Sequence, residues 1–478
     1  MRYNLLKTFD KLYILNLHGN AKKKETTPDG SKDENVFDIQ QGVAITFFVK
    51  TNQKNNQSLG EVYYADLYGL RAEKYEYLNT HSVGDIKYQK VNPTVENLYR
   101  FDLQNDELRS EWGKMTSIDE IFKLNAVGLV TARDSLCIQD TAQKMAEVVQ
   151  DFVQLEVEEA REKYQLGNDV RDWKVALAQR DILNRRLQNG DIDLSLISEI
   201  SYRPFDRRYT YYTNQSKGFI CMPRYDVLKH LHNKTNMALI TARQSCEAKG
   251  TPWSTAYVSD TISDFHLFRR ASANVFPMYQ IAEDGSKFEN ITDEFFDRLE
   301  KATGLKHHSL DESSDLSDKE FTSQDVMDYI YAILYSPSYR TKYKTLLDSE
   351  FPRIPLPNDG TQFKSLADVG RQLRELHLSK HGDSFDSEVT YPEIGDNVVS
   401  QYKLKDDRVY INKSQYFGNI PKESWEFFIG GYQPLEKWLK DRKGQTLSFD
   451  EITHYQYMVY AITKTIDLMK QIDQIVEF

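Results

Sequence analysis

Apolar positions along the chain change period several times, and each change marks an element. MRYNLLKTFDKL has helical spacing, LYILNLHGN is a buried-strand run ending in a Gly turn, and NVFDIQQGVAITFFVK adds a loop and a further strand. These first fifty residues read as the back half of an α/β nucleotide-binding domain. A chain that opens in mid-fold reads as a fragment, with the phosphate- or cofactor-binding turn upstream. After the polar turn KTNQKNNQSLG, EVYYADLYGLRAEKYEYL predicts a strand passing into a short helix, residues 116 to 124 a helix, and AVGLVTARDS a strand.

The middle and end of the chain are read in the same way. Met145, Val148, Val149, Phe152, Val153, Leu155 and Val157 predict one long helix from Ala142 to about Tyr164, and a second runs near Trp173 to Leu187. Strand-like pieces alternate with one helix through SLISEISYRPFDRRYTYYT, YDVLKHLHN, NMALITARQS and TAYVSDTISD. Past Pro277 the pattern is helical and acidic. Helices are expected at Ser323 to Tyr335, near Leu366 to Leu378 and from Phe449 to Ile475, with short strands around Val398 to Tyr410. The fold class expected is mixed α/β and α+β with a helical C-terminal part.

Composition adds bounds. A chain of 478 residues with 40% hydrophobic and 12% aromatic residues can build the cores of two or three domains. No apolar run reaches the roughly eighteen residues of a spanning helix, and no small-residue cleavage site follows the first apolar stretch, so the expected location is the cytoplasm without membrane association. Cys137, Cys221 and Cys246 are far apart and form no CxxC pair, which reads as buried thiols. The net charge of -11 excludes a uniformly basic nucleic-acid binder, yet it hides an asymmetry. Residues 201 to 250 carry nine Lys/Arg against three acids, whereas residues 281 to 325 carry five basic and thirteen acidic side chains and include the connector-like GLKHHSLDESSDLSDKE. A phosphate backbone would be drawn to the first of these.

Two patterns carry candidate chemistry. GLVTARDS (Gly128 to Ser135) and ALITARQS (Ala238 to Ser245) echo each other as apolar strands emptying into polar turns, presenting Arg133 and Arg243 beside Asp134 and Gln244. Arg bidentate to guanine and Gln bidentate to adenine are the usual major-groove pairings; a chance repeat with the arginines in salt bridges is the alternative. RPFDRRYTYY (203 to 212) is the densest constellation. With Phe205 buried, its Arg203, Arg207, Arg208 and tyrosines, Tyr211 among them, either offer guanidinium groups and rings to a nucleic acid or pair with acids and fill core. Glu247-Ala248-Lys249 has the ExK form but follows a polar stretch. His377 and His381 at i, i+4 read as a solvated helix face in preference to a metal site, and His307 and His308 as exposed. In GGYQPLEKWLKDRKG, Pro434 can begin a helix on which Trp438 packs while Lys437, Lys440, Arg442 and Lys443 stay outside, which suits docking better than DNA contact.

The order MRYNLLKTFDKLYILNLHGN, NVFDIQQGVAI, TARD, SYRPFDRRYTYY, TARQS, VSDTISD, FPMY, DVMDYIYAILYSPSYRTKY, FPRIPLP and WEFFIGGYQPLEKWLKDRKG resembles the C-terminal part of the single-chain type ISP restriction-modification enzymes. The resemblance covers nearly the whole chain. In that family a nuclease, a helicase-like ATPase, a coupler and a gamma-class adenine methyltransferase precede a target recognition domain. The sequence contains no NPPY-type tetrapeptide, Gly-rich S-adenosylmethionine loop, Walker lysine motif or convincing nuclease Asp plus ExK pair.

The resemblance implies residues 1–60 as the last strands of a Rossmann-like methyltransferase sheet, 61–290 as the DNA target recognition region, and 291–478 as an acidic connector and mostly helical remainder. It implies no catalytic residue and no metal here, and S-adenosylmethionine as a cofactor of the parent enzyme only. The partners implied are double-stranded DNA and the upstream methyltransferase, helicase and nuclease domains. A flipped adenine must be stacked on an aromatic ring, and the loop NVFDIQQGVAI makes Phe37 the candidate, an ordinary core Phe being the alternative. Asn16, His18 and Asn20 would border that pocket, although His18 reads equally well as a turn residue. Arg203, Arg207, Arg208 and Arg224 are expected mainly on phosphates, with Arg133, Arg243 and Gln244 nearer base edges. A protein-interaction scaffold using the acidic surface is the reading from a different class.

Overall fold

The computed structural model describes the chain apart from residues 22–24, 52–57, 96–98, 104–105, 246, 248–250, 311–315, 380–384 and 386. It divides into two compact units, Met1–Met115 with residues 248–251, and Thr116–Phe478 without them. In the first unit, helix α1 (Arg2–Thr8) precedes strands β1 (Lys11–Asn16), β2 (Ala44–Val49) and β3 (Glu61–Asp66), helix α2 (Arg71–Thr80) and strand β4 (Gln89–Val91). The sheet order is β2-β1-β3-β4, with β1 and β3 parallel and the outer strands antiparallel to their neighbours.

Side-chain alternation fills both faces of that sheet. Leu12 and Ile14 lie opposite Val62 and Tyr64, joined by Leu6 and Val91, while Leu15, Leu17, Val36 and Ala65 pack on the other side. Burial on both faces is why β1 reads as a nearly continuous apolar run. The β2 strand AITFFV is equally apolar but lies at the sheet edge, where Phe47 and Phe48 are exposed.

The second unit is mixed α/β. A four-stranded antiparallel sheet runs in the order Ala256–Ser259, Ala238–Thr241, Asn274–Pro277 and Ala126–Val127. The hairpin Ile197–Arg203 and Asp206–Tyr211 forms a three-stranded sheet with Ile262–Ser263. Helices Ser323–Tyr335, Gly360–His377 and Phe449–Ile475 pack together into the C-terminal core. The first of these is buried at nearly every position from Val326 to Tyr335.

Several expectations change. The helix expected over 142–164 is two, Ala142–Phe152 and Val157–Lys163, because Glu159 bonds back to the backbone N–H of Glu156 and starts a new helix there. The helix expected from Leu366 begins at Gly360, where Asp359 accepts a bond from the Gln362 N–H. Past Pro277 the chain first makes the strand pair Tyr279–Ile281 and Lys287–Glu289.

The expected divisions at 60 and 290 also fall inside packed structure. β3 begins at Glu61 and is hydrogen-bonded to β1, while Asn290 donates to the Leu124 and Pro277 carbonyls and Ile291 bridges to Phe122. Cys137 and Cys221 are buried thiols; Cys246 lies outside the described residues. No helix of the described residues is long and apolar enough to cross a membrane.

Candidate nucleic-acid interface

Because β1 and β3 are parallel, their last residues, Asn16 and Asp66, lie side by side at one edge of the sheet. The carboxyl ends of parallel strands are where α/β sheets place ligands. His18 follows in a left-handed conformation (φ 53°) and is buried, with Nδ1 2.8 Å from Glu25 Oε1 and Nε2 2.7 Å from Asp66 Oδ1. Its ring stacks on Tyr68 at 3.8 Å. Burial alone would lower the imidazole pKa, but the bonds to Asp66 and Glu25 outweigh it and raise the value. Both ring nitrogens face carboxylate oxygens, so the charged form is the one the site fits. Asn16 donates to the Tyr64 hydroxyl at 2.9 Å, and the Asn20 N–H donates to Glu25 Oε2 at 2.9 Å.

A second buried ion pair fixes the neighbouring loops. Lys74 and Asp33, both with fully buried side chains, lie 2.7 Å apart. Asp33 also accepts from the Gly19 and Gly69 N–H groups, and Lys74 donates to the carbonyls of Leu17 and Glu34. Arg71 ties down the next stretch through the Asn35 and Phe37 carbonyls and Asp38. The tethered loop leaves Phe37 56% exposed beside a depression of about 530 Å³ that Gly19, Asp33, Asn35, Ile39 and Arg71 also line. Phe37 is therefore not a core residue.

In the RPFDRRYTYY hairpin the arginines pair with acids, the alternative that the sequence left open. Arg203 is buried, 2.8 Å from Asp264 and packed on the Tyr202 ring at 3.8 Å. Arg207 lies 2.6 Å from Asp260 and 3.3 Å from Glu199. Arg208 pairs with Asp206 at 3.0 Å and Asp140 at 3.3 Å, and Tyr211 is wholly buried. At the hairpin tip, Phe205 takes φ 61° with its N–H donating to the Tyr257 hydroxyl and its carbonyl 2.7 Å from His454 Nε2. Arg203 is buried and Arg207 and Arg208 are partly so, each beside an acid, and the local charge they lend the sequence is cancelled in place.

Other residues are relocated for similar reasons. Arg133 donates to the Leu166 and Asn168 carbonyls and stacks over Trp173 at 4.9 Å. Arg442, expected outside, is buried against the Trp438 ring at 3.6 Å and bonded to Glu451 and Asp206. Pro434 does open the helix Pro434–Asp441, and Trp438 packs on it. His377 is a core histidine, 2.5 Å from the Tyr331 hydroxyl and 2.9 Å from that of Thr465, its pKa pushed down to about 3 by burial and then by Arg340. His307 stacks on Phe296 at 3.7 Å and meets Glu289. His381, Ala248 and Lys249 lie outside the described residues.

Open positive charge gathers elsewhere. Thr241, the last residue of its strand, pairs with Asn274, the first residue of the next, so the segments beyond them share one end of the four-stranded sheet. Arg243 and Gln244 leave one strand there, and Arg269 and Arg270 precede the other; all four are exposed. Among the described residues no carboxylate lies within ion-pair distance of Arg243, Arg269 or Arg270, and Arg224 is exposed on its own turn with Nη2 3.4 Å from Met222 Sδ. The echo between TARD and TARQS is not carried into the sheet: Ala126–Val127 and Ala238–Thr241 both flank Asn274–Pro277 in the same direction, but Asn274 pairs with Val127 on one side and Thr241 on the other, so Thr131 lies four residues beyond the position that Thr241 holds. Their ends differ: Thr131 bonds Asp134 at the start of a helical turn, whereas Thr241 donates to the Thr255 carbonyl. Arg269 and Arg270 lie beyond the basic stretch 201–250, so its charge does not point to them; an apolar strand start preceded by two arginines is the signal the sequence offers.

Three exposed arginines, Arg243, Arg269 and Arg270, share one sheet end, an arrangement that can face an anion. The chain belongs to the type ISP C-terminal specificity domain family, whose model matches residues 120–471. Its fold is similar to that of a DrdV–DNA complex solved by cryo-electron microscopy (TM-score 0.66, 21% identity, 98% of this chain and 48% of that one). It is similar as well to the ATP-dependent type ISP restriction-modification enzyme LlaBIII bound to DNA (TM-score 0.66, 20% identity, 100% and 31%). A third likeness is to a nuclease-deletion mutant of the type ISP enzyme LlaGI in complex with a DNA substrate mimic (TM-score 0.63, 22% identity, 98% and 44%). The chain thus spans less than half the length of these relatives. No curated protein sequence matches it.

Proposed function

We propose that this chain reads a DNA sequence for a type ISP restriction-modification enzyme acting in the cytoplasm, and that the parent enzyme methylates an adenine exocyclic amine with S-adenosylmethionine. The observation that carries the reading is the family match over residues 120–471; the three similar structures being DNA complexes supports it. In this reading the first unit closes the methyltransferase domain, and the nuclease, helicase-like and methyltransferase parts of the same polypeptide are its partners. Phe37, exposed at the rim of its depression, is the candidate platform for the extruded base; Asn16, His18 and Asn20, expected to border the pocket, are not among the residues that line that depression.

The acids at this edge are bonded within the chain. Asp66 is bonded to His18 and Tyr64, Asp33 to Lys74 and two backbone N–H groups, and Glu25 to His18 and Asn20. Each of these carboxylates thus serves the chain's own hydrogen bonds, and in this reading the cofactor is held by the parent enzyme's other residues.

The test is a titration of the full chain with labelled random duplex across salt. Retention that weakens steeply between about 0.05 and 0.2 M salt is expected of a recognition domain. Absence of retention at both ends of that range would remove DNA reading and favour a protein-interaction scaffold.

A further inference from the structure

We infer that the sheet end carrying Arg243, Gln244, Arg269 and Arg270 is the surface that meets duplex DNA, and that the Gly430–Gly431 turn positions it. The inference rests on the proposed function and adds to it the place and the supporting part. Three observations carry it.

The first is charge left without an internal counterpart. In the RPFDRRYTYY hairpin every arginine has a carboxylate within 3.3 Å, whereas Arg243, Arg269 and Arg270 have none among the described residues. The acids near this end are engaged by other groups: Glu247 accepts from the Ser254 N–H and the Ser254 and Thr255 hydroxyls, and Asp348 accepts from Lys344 and from Ser245, in the same loop as Arg243. Exposed arginines of this kind are the ones that can exchange counterions for phosphates.

The second is geometry. Thr241 and Asn274 are paired across the ladder, so Arg243, two residues past one, and Arg270, four before the other, project from neighbouring segments. The sheet end thereby offers a guanidinium and a carboxamide side by side from one loop and two guanidiniums from the next. Arg and Gln are the side chains that read guanine and adenine edges bidentately, and paired arginines suit the flanking backbone.

The third is a brace brought from far along the sequence. The Arg269 N–H donates to the Gly430 carbonyl at 2.7 Å, the Gly430 N–H donates to the Ser254 carbonyl at 2.8 Å, and the Gly431 N–H lies 3.3 Å from Ser254 Oγ. Gly430 takes φ 57°, and a Cβ there would run into the Phe268 ring, so the turn requires glycine. Arg270 itself is held at φ 59°, a strained conformation for a long side chain that persists only where its surroundings impose it. The GGYQPLEKW segment thus joins two strand ends of the arginine-bearing sheet, Ser254 before one strand and Arg269 before another.

The experiment uses the full 478-residue chain and a pool of short duplexes with randomised cores, with affinity measured against salt and the retained duplexes sequenced. Arg269→Ala with Arg270→Ala should weaken the whole pool roughly tenfold and flatten the salt slope by about one per arginine. Arg243→Ala and Gln244→Ala should keep most of the pool affinity and lose sequence enrichment at one position each. Gly430→Ala should keep the salt slope, since every arginine remains, and blur the enrichment; Ser254→Ala removes one bond of the brace and gives the same readout should Gly430→Ala fail to fold. Wild-type slope and enrichment in all five variants, with the wild-type chain binding normally, would overturn this placement while leaving DNA reading intact. A wild-type chain that retains no duplex would overturn both.

Discussion

Asp206→Ala tests whether the arginine-rich hairpin is internal wiring. Asp206 is buried; it accepts from Arg208 Nε at 3.1 Å and from Arg442 at 3.2 Å, and a second Arg208 nitrogen lies 3.0 Å away. Hydrogen bonds to charged groups are worth about 1.5–3 kcal/mol each, so two lost bonds set a generous upper limit. The guanidiniums are not left alone, because Arg208 keeps Asp140 and Arg442 keeps Glu451. Removing one partner of a buried pair costs about 3–5 kcal/mol, and the lower half of that range is expected here. Asp140→Ala is the control: its side chain is 32% exposed and 3.3 Å from Arg208, which places its loss below about 1 kcal/mol. Urea unfolding followed by tryptophan fluorescence suits the comparison, since four of the five tryptophans lie in the second unit. The pH dependence gives a second readout. Burial works to raise the Asp206 pKa, but Arg442 and Arg208 hold it below the ordinary 3.8, so its contribution is present above that value and lost as pH falls through the lower folded one. Equal losses from the two substitutions would refute the reasoning.

Three other outcomes follow from particular contacts. His18 has its pKa raised above 6.5, so the stability it lends is complete below that pH and declines as pH rises through the folded value; amide exchange in residues 11–20 and 61–68 should speed up over that interval, and constant protection would contradict the doubly bonded imidazolium. Phe37→Ala should change stability by less than about 0.5 kcal/mol, because the ring is exposed, and a larger loss in thermal unfolding would return it to the core. Gly370→Ala would drive a Cβ into the Asp328 carbonyl on the facing helix, an overpacking that costs about 1–3 kcal/mol and is read as a lowered urea midpoint.

Elements with a clean period were legible in the sequence. Ser323–Tyr335 and Phe449–Ile475 occupy the residues their apolar spacing predicts, because burial along most of a helix leaves an unmistakable pattern. The helix break at 153–156 was not legible, since Val153, Leu155 and Val157 continue the apolar rhythm while backbone capping by Glu159 decides the break. Asn16 and His18 were found at a strand end by position alone. Their partners Asp66, Glu25 and Tyr68 depend on the parallel pairing of β1 with β3, which no local spacing encodes. Charge was the least legible property of all. The segment 201–250 looks basic because the acids that neutralise it, Asp140, Glu199, Asp260 and Asp264, come from other parts of the chain.

A chain of net charge -11 can still hold DNA at one sheet end, and the reason is screening. At about 0.15 M salt the Debye length is roughly 8 Å, so a phosphate near Arg269 feels that arginine and its neighbours and little of the acidic remainder. At about 0.01 M it is roughly 30 Å, comparable with a small domain, and the net negative charge then opposes approach. Two terms of opposite sign therefore meet at low salt: arginine contacts strengthen while the whole-body repulsion lengthens. The logarithm of the association rate for random duplex, linear against log salt over the upper range, should fall below its extrapolation by 0.01 M. Stopped-flow mixing across that range measures it directly. A straight line through the lowest salt would mean that the acidic segments do not act on DNA at all, and that the binding face is more extensive than four side chains at one sheet end.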